Sequence, residues 1–187
     1  MTICSSKKEL SMDSSTATDS SEQFRSRLTS DFELLRQAPL FAGIQPEVVK
    51  LFAYLARRRS YRPDDMLLKQ NSKADRAFIL VEGEVEVSVT HRERDVNLQR
   101  LAKPSFFGEL ALLARFNWFF SVRAVTQVET LVIERTTFQK VIEKFPHHKD
   151  ALVERIIKLR IERLVNQTAF MLDRFQFSGN EQKTPLI

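Results

Sequence analysis

Residues 106–124 read FFGELALLARFNWFFSVRA, and the two halves of this stretch point to different chemistry. In the first half, Gly108 and Glu109 stand at the mouth of a short apolar run. A short helix starting there leaves its first N–H groups without intrahelical partners, and together with the helix dipole these form a place for an anion. Gly108 lets a ligand approach the backbone closely. The Glu109 carboxylate, alone among apolar neighbours, suits accepting hydrogen bonds from a sugar hydroxyl, or else compensates the helix dipole. In the second half, Trp118, Phe119 and Phe120 stand where an anion site would place a cation.

Outward from this stretch the hydrophobic period is that of strands. In SYRPDDMLLKQNSKADRAFILVEGEVEVSVTHRERDVNLQRLA, residues 60–102, turn residues cluster at 63–65 and 71–75. Val85, Val87 and Val89 alternate with Glu84, Glu86 and Ser88, a two-residue period. Gly83 marks a bend or turn between two such runs, and HRERD at 91–95 reads as a charged hairpin tip. Downstream, SVRAVTQ (121–127) and ETLVIER (129–135) read as a further strand pair. Short strands at regular spacing, with helices only at the ends, predict a small antiparallel barrel or sandwich.

The flanks are helical. Phe24, Leu28, Phe32 and Leu35 recur at spacings of four, four and three. Pro39 and Gly43 break the chain, and Pro46 opens a second helix carrying Val48, Leu51, Phe52 and Leu55. TTFQKVIEKF (136–145) is a short amphipathic helix ended by Pro146. The long segment 149–177 follows, with Val153, Ile157, Ile161, Leu164, Thr168, Met171 and Phe175 in one stripe. Spacing alone leaves two roles open for that stripe: a coiled-coil-like dimer seam or packing on the chain's own barrel. Residues 1–22, rich in Ser and Thr, read as a disordered tail, residues 23–148 as the folded domain, and residues 178–187 as a flexible end.

Composition narrows the function classes. A chain of 187 residues supports one domain of roughly 100–150 residues plus extensions. Hydrophobic content of 43% with fifteen phenylalanines supplies a real core. The net charge of +5 is mild, and its densest run, Arg57–Arg59, reads as a solvated face, not a nucleic-acid patch. Cys4 is the only cysteine, so neither an intrachain disulfide nor a thiolate metal cluster can form. With no apolar leader and no stretch near the ~20 apolar residues a bilayer crossing needs, a soluble cytoplasmic protein is expected. His91, His147 and His148 are the only histidines and are badly spaced for a metal. No catalytic constellation is evident, so the sequence predicts no enzyme, no metal and no cofactor.

The residues also carry a resemblance. Phe107, Gly108, Glu109, Leu110, Ala111, Leu112 and Leu113 match, without a gap, the phosphate-binding cassette of the cyclic nucleotide-binding domain family. LFAGIQPEVVKLFAYL (40–55), YRPDDMLLKQ (61–70) and ADRAFILVEGEVEVSV (74–89) resemble its entry helices and first strands. The type is that of the catabolite regulator and the regulatory subunit of protein kinase A, here without a DNA-binding domain. The resemblance implies a mainly β, eight-stranded jelly-roll-like barrel with N-terminal helices and a long C-terminal helix. It implies cAMP or cGMP as ligand, Glu109 on the ribose 2′-hydroxyl, amides near Leu110 and Ala111 on the phosphate, and Ser121 with Val122 beside it. The long helix is implied as a lid and as the element that dimerises or meets a protein partner.

One departure weighs against that ligand: the family's phosphate-pairing arginine falls on Trp118. An indole has one N–H and no charge, whereas a guanidinium binds an oxyanion bidentately. Charge-assisted hydrogen bonds contribute about 1.5–3 kcal/mol each, and an unpaired buried charge costs about 3–5 kcal/mol. Cyclic nucleotide affinity weaker by roughly ten- to several-thousandfold is the expectation. Arg115, three residues before the lost position, is the candidate substitute cation. Two functions follow: a sensor that binds cyclic nucleotide weakly and signals through its last helix or a partner, or a ligand-independent interaction module with a degenerate pocket.

Overall fold

The computed structural model describes residues 15–177, and the change of hydrophobic period marks where helix gives way to strand. Helix α1 spans Ser15–Gln37, a 3-10 turn Pro39–Phe41 follows, and α2 spans Pro46–Leu55. Ala38, preceding Pro39, is extended (φ −70°, ψ 135°), which ends α1 there. Pro46 opens α2, where its missing N–H costs nothing. The helix takes in residues 15–22, which composition had placed in the polar tail; once 23–37 is helical, each further residue adds a hydrogen bond without a new nucleus. The rest of that tail and the expected flexible end, 178–187, lie outside the described residues.

Ten strands follow. They are β1 (Arg57–Tyr61), β2 (Met66–Leu68), β3 (Lys73–Ala74), β4 (Arg76–Glu82) and β5 (Glu84–His91). Then come β6 (Arg94–Ala102), β7 (Ser105–Phe107), β8 (Phe116–Asn117), β9 (Ser121–Ala124) and β10 (Val128–Glu134). A four-residue helix, α3 (Leu110–Leu113), separates β7 from β8. Eight strands form two antiparallel four-stranded sheets, ordered β1-β10-β4-β7 and β2-β9-β5-β6, and β3 pairs with β8 alone. Mainly β with flanking helices, this is the jelly-roll-like arrangement that the resemblance implies.

The two segments read as a strand pair, β9 and β10, are both strands but do not pair. β9 bonds to β2 and β5, β10 to β1 and β4, and residues 125–127 cross between the sheets. The crossing lets Val122, Ala124, Val128 and Val132 enter one core from opposite walls. β4 and β10 are buried on both faces, as their nearly continuous apolar runs require. Phe78 and Leu80 point into the barrel, while Ala77, Ile79, Leu131 and Ile133 meet a second core built with the helices.

The C-terminal helices cap that second core. α4 spans Arg135–Lys144, a 3-10 turn covers Pro146–His148, and α5 spans Lys149–Phe177. α5 packs through Leu152 and Ile156, with Leu159 half-buried beyond them. The stripe read from spacing is not the packing face: Ile157, Ile161, Leu164 and Met171 are 47–58% exposed. No described helix is long and apolar enough to cross a membrane, and no three His, Cys, Asp or Glu side chains among the described residues could hold a metal ion.

Two arginines tie elements together. Arg58, expected on a solvated face with its neighbours, instead donates to Asp31 of α1 at 2.7 Å and to Glu129 of β10 at 2.8 Å. The buried carboxylate of Asp31 and the half-buried one of Glu129 draw its guanidinium inward, while Arg57 and Arg59 stay exposed. Arg135, buried at the start of α4, donates to the carbonyls of Ala74, Ala111 and Ala114, fastening the end of α3 to the barrel.

Two stability outcomes follow. Gly83 has φ +86°, and a Cβ on it would lie 2.2 Å from the Gln127 carbonyl oxygen. Gly83→Ala is expected to cost about 2–4 kcal/mol and to lower the melting temperature by roughly 5–15 °C, read by circular dichroism. Arg135→Ala strands two buried carbonyls and a part-buried one and is expected to cost about 2–4 kcal/mol in urea denaturation. Arg135→Lys should restore little, because an ammonium cannot fork to three acceptors.

Candidate functional site

The site is built where β7 turns into α3. Alternation along β7 sends Phe106 to the outer core and Phe107 into the barrel, where its ring stacks on Phe78 at 5.2 Å. Gly108 then takes φ +80°, the left-handed geometry that turns the strand into α3. A Cβ there would lie 3.0 Å from the Arg76 carbonyl oxygen and 3.0 Å from Cη2 of Trp118, so the position has no room for a side chain.

Glu109 stands at the N-cap of α3 but makes no side-chain cap bond to it. Its side chain is only 3% exposed, and both carboxylate oxygens accept from Nη1 of Arg163 at 2.9 Å. Nη2 of the same arginine donates to the Phe106 carbonyl. α5 is thus fastened to the cassette at the side chain that the sequence assigned to the ribose.

Arg163 was missed by reading the cassette locally, since 54 residues separate it from Glu109. A signal was available: Leu152, Ile156, Leu159 and Arg163 recur at spacings of four, three and four, so the packing face of α5 ends in a cation.

Trp118 is 3% exposed. Its ring meets Phe116 edge-on at 5.5 Å and Phe120 at 5.7 Å, and its far edge closes on Gly108. The backbone is pinned on both sides: Trp118 donates its amide to the Ser72 carbonyl at 2.8 Å and accepts from the Asn71 amide at 2.7 Å. Asn71 has φ 67°, a left-handed conformation that Asn tolerates well. The indole therefore packs against the glycine of the cassette. Phe119, 53% exposed, lies outside this packing and meets Phe120 edge-on.

The remaining candidates divide. The Ala111 amide donates to the Gly108 carbonyl at 3.0 Å, so one of the two amides expected on a phosphate is engaged within the turn. Leu110 leans on the outer core. Ser121 accepts from the Gln70 amide at 3.0 Å, and Val122 is wholly buried in the barrel. Arg115 is exposed after α3 and takes part in no ion pair among the described residues. Arg123 lies on the outer surface, where it pairs with Asp64 and with the buried Glu86.

Comparison with known proteins bears on the same segments. Residues 58–145 match the cyclic nucleotide-binding domain family. The potassium/sodium hyperpolarization-activated cyclic nucleotide-gated channel 4 of Rattus norvegicus is 26% identical over 148 residues, 79% of this chain. The match spans 12% of the channel's length. Among solved structures, a cyclic nucleotide-binding-like protein from Brucella abortus is 27% identical with a TM-score of 0.56, covering 61% of this chain and 98% of the other. The Thermus thermophilus catabolite activator protein is 26% identical with a TM-score of 0.60, covering 75% of this chain and 64% of the other. The cassette geometry, the jelly roll and these matches agree: residues 58–145 of this chain belong to the cyclic nucleotide-binding domain family.

Proposed function

We propose that this chain is a non-catalytic regulatory module that binds a cyclic nucleotide, cAMP or cGMP, weakly and passes its state on through α5. The observation that carries the reading is the Arg163–Glu109 contact. The carboxylate that would accept the ribose hydroxyl is the one that holds α5 down, so ribose and helix compete for one side chain. A ligand that draws Glu109 away loosens α5, which converts occupancy into helix position. Trp118, packed on Gly108, occupies the arginine's place and supports low affinity.

Isothermal titration with cAMP and cGMP tests this. Glu109→Ala is expected to abolish binding. Arg163→Ala removes the competitor; its side chain is 36% exposed, so the pair is worth only about 1 kcal/mol and binding should tighten about three- to tenfold. Weaker or unchanged binding in Arg163→Ala would overturn the competition.

The exposed stripe of α5 favours a second reading, in which a second copy of the chain covers it independently of ligand. Ile161 and Leu164 fall at successive a and d positions, a pattern suited to a parallel two-stranded seam, and exposed Val165 and Leu172 widen it. Sedimentation equilibrium is expected to give a dimer for the wild type and a monomer for Ile161→Glu/Leu164→Glu. A wild-type monomer at tens of micromolar removes this reading and leaves the first intact.

A further inference from the structure

Trp118 also lines a second recess, away from the cassette. It has a volume of about 270 Å³ and lies between β2, the turn after it and the start of β4. Gly108, Glu109 and Arg163 take no part in its lining. Its size is just below the ~300–1,000 Å³ of pockets for drug-sized molecules, which suits a smaller ligand.

The walls are of two kinds. Leu68, Phe78 and Trp118, all buried, give an apolar floor. Lys69, Lys73 and Arg76 face them with positive charge, against one carboxylate, Asp75. Asp75 is already held by its neighbour: Arg76 Nε donates to it at 2.7 Å and Nη2 at 3.2 Å. Lys69 and Lys73 line the recess and enter no ion pair among the described residues, although Lys73 is near enough to Asp75 to help hold that carboxyl below its usual range.

We propose that this recess binds a small organic anion: a phosphate or carboxylate group held by Lys69 and Lys73, carried on an apolar body that rests on Met66, Leu68 and the edge of Trp118. An anion satisfies both lysines at once, and the apolar floor favours an aromatic or aliphatic body over a bare ion. The ligand touches the same indole that closes on Gly108, so its binding also loads the cassette from behind.

Trp118 is the only tryptophan in the chain, so intrinsic fluorescence reports on this recess directly. Phenyl phosphate is expected to change the emission saturably, phenol not at all, and inorganic phosphate only at higher concentration. Lys69→Ala/Lys73→Ala should weaken phenyl phosphate about tenfold or more. Both lysines are exposed, so the variant is expected to melt with the wild type; if it melts early, Lys69→Gln/Lys73→Gln takes its place. A response that does not saturate, or that is unchanged in the double variant, overturns the site. Inorganic phosphate binding as tightly as phenyl phosphate overturns the organic body, and an equal response to phenol overturns the anion. Glu109→Ala should leave the phenyl phosphate response intact, so the recess and the cyclic nucleotide reading stand or fall separately.

Discussion

A carboxylate removed from water needs partners, and among the described residues one donor side chain, Arg163, supplies them to Glu109. Its position, directly after a left-handed glycine at the end of β7, turns it inward. Trp118, packed nearby against Gly108, brings no charge. The cation comes instead from α5, more than fifty residues away, and brings the helix with it. The placing of the last helix over the cassette thus depends on satisfying one buried acid as well as on apolar packing at Leu152 and Ile156.

Around that contact the chain builds two cores that share walls. β4 and β10 carry apolar side chains on both faces, one set filling the barrel and the other receiving α1, α2, α4 and α5. A shift of α5 therefore bears on the same strands that shape the barrel interior. Arg135 fixes the other end of the cassette: its buried guanidinium ties the carbonyls at the end of α3 to Ala74. The cassette is clamped at its far end by α4 and latched at its near end by α5, and of these only the latch is part-exposed and charge-paired. A part-exposed ion pair is the weaker of the two.

Much of the fold was legible because its signals are local. The alternation of Val85 and Val87, the turn residues near 63–65 and the proline at 46 each act within a few residues. Gly108 and Glu109 were legible for the same reason. Less visible were facts that depend on what lies opposite. Glu86 reads as a solvent-facing residue of an alternating strand, yet it is buried beneath Arg123 and Arg100. β9 and β10 read as a strand pair, but the three residues between them cross from one sheet to the other.

By itself, then, the sequence determined where most helices and strands lie, that they build a mainly β barrel with flanking helices, and that Gly108, Glu109 and an uncharged Trp118 share one short stretch. These are matters of period, turn chemistry and residue identity, which neighbouring residues carry. Only the tertiary structure decided that Trp118 closes on Gly108, that Arg163 takes the Glu109 carboxylate, and that the apolar stripe of α5 faces solvent. Each of these is a contact, or the lack of one, between segments far apart in the chain. Pairings of that kind are set by how two sheets and a terminal helix close on one another, and no spacing within a single segment records them.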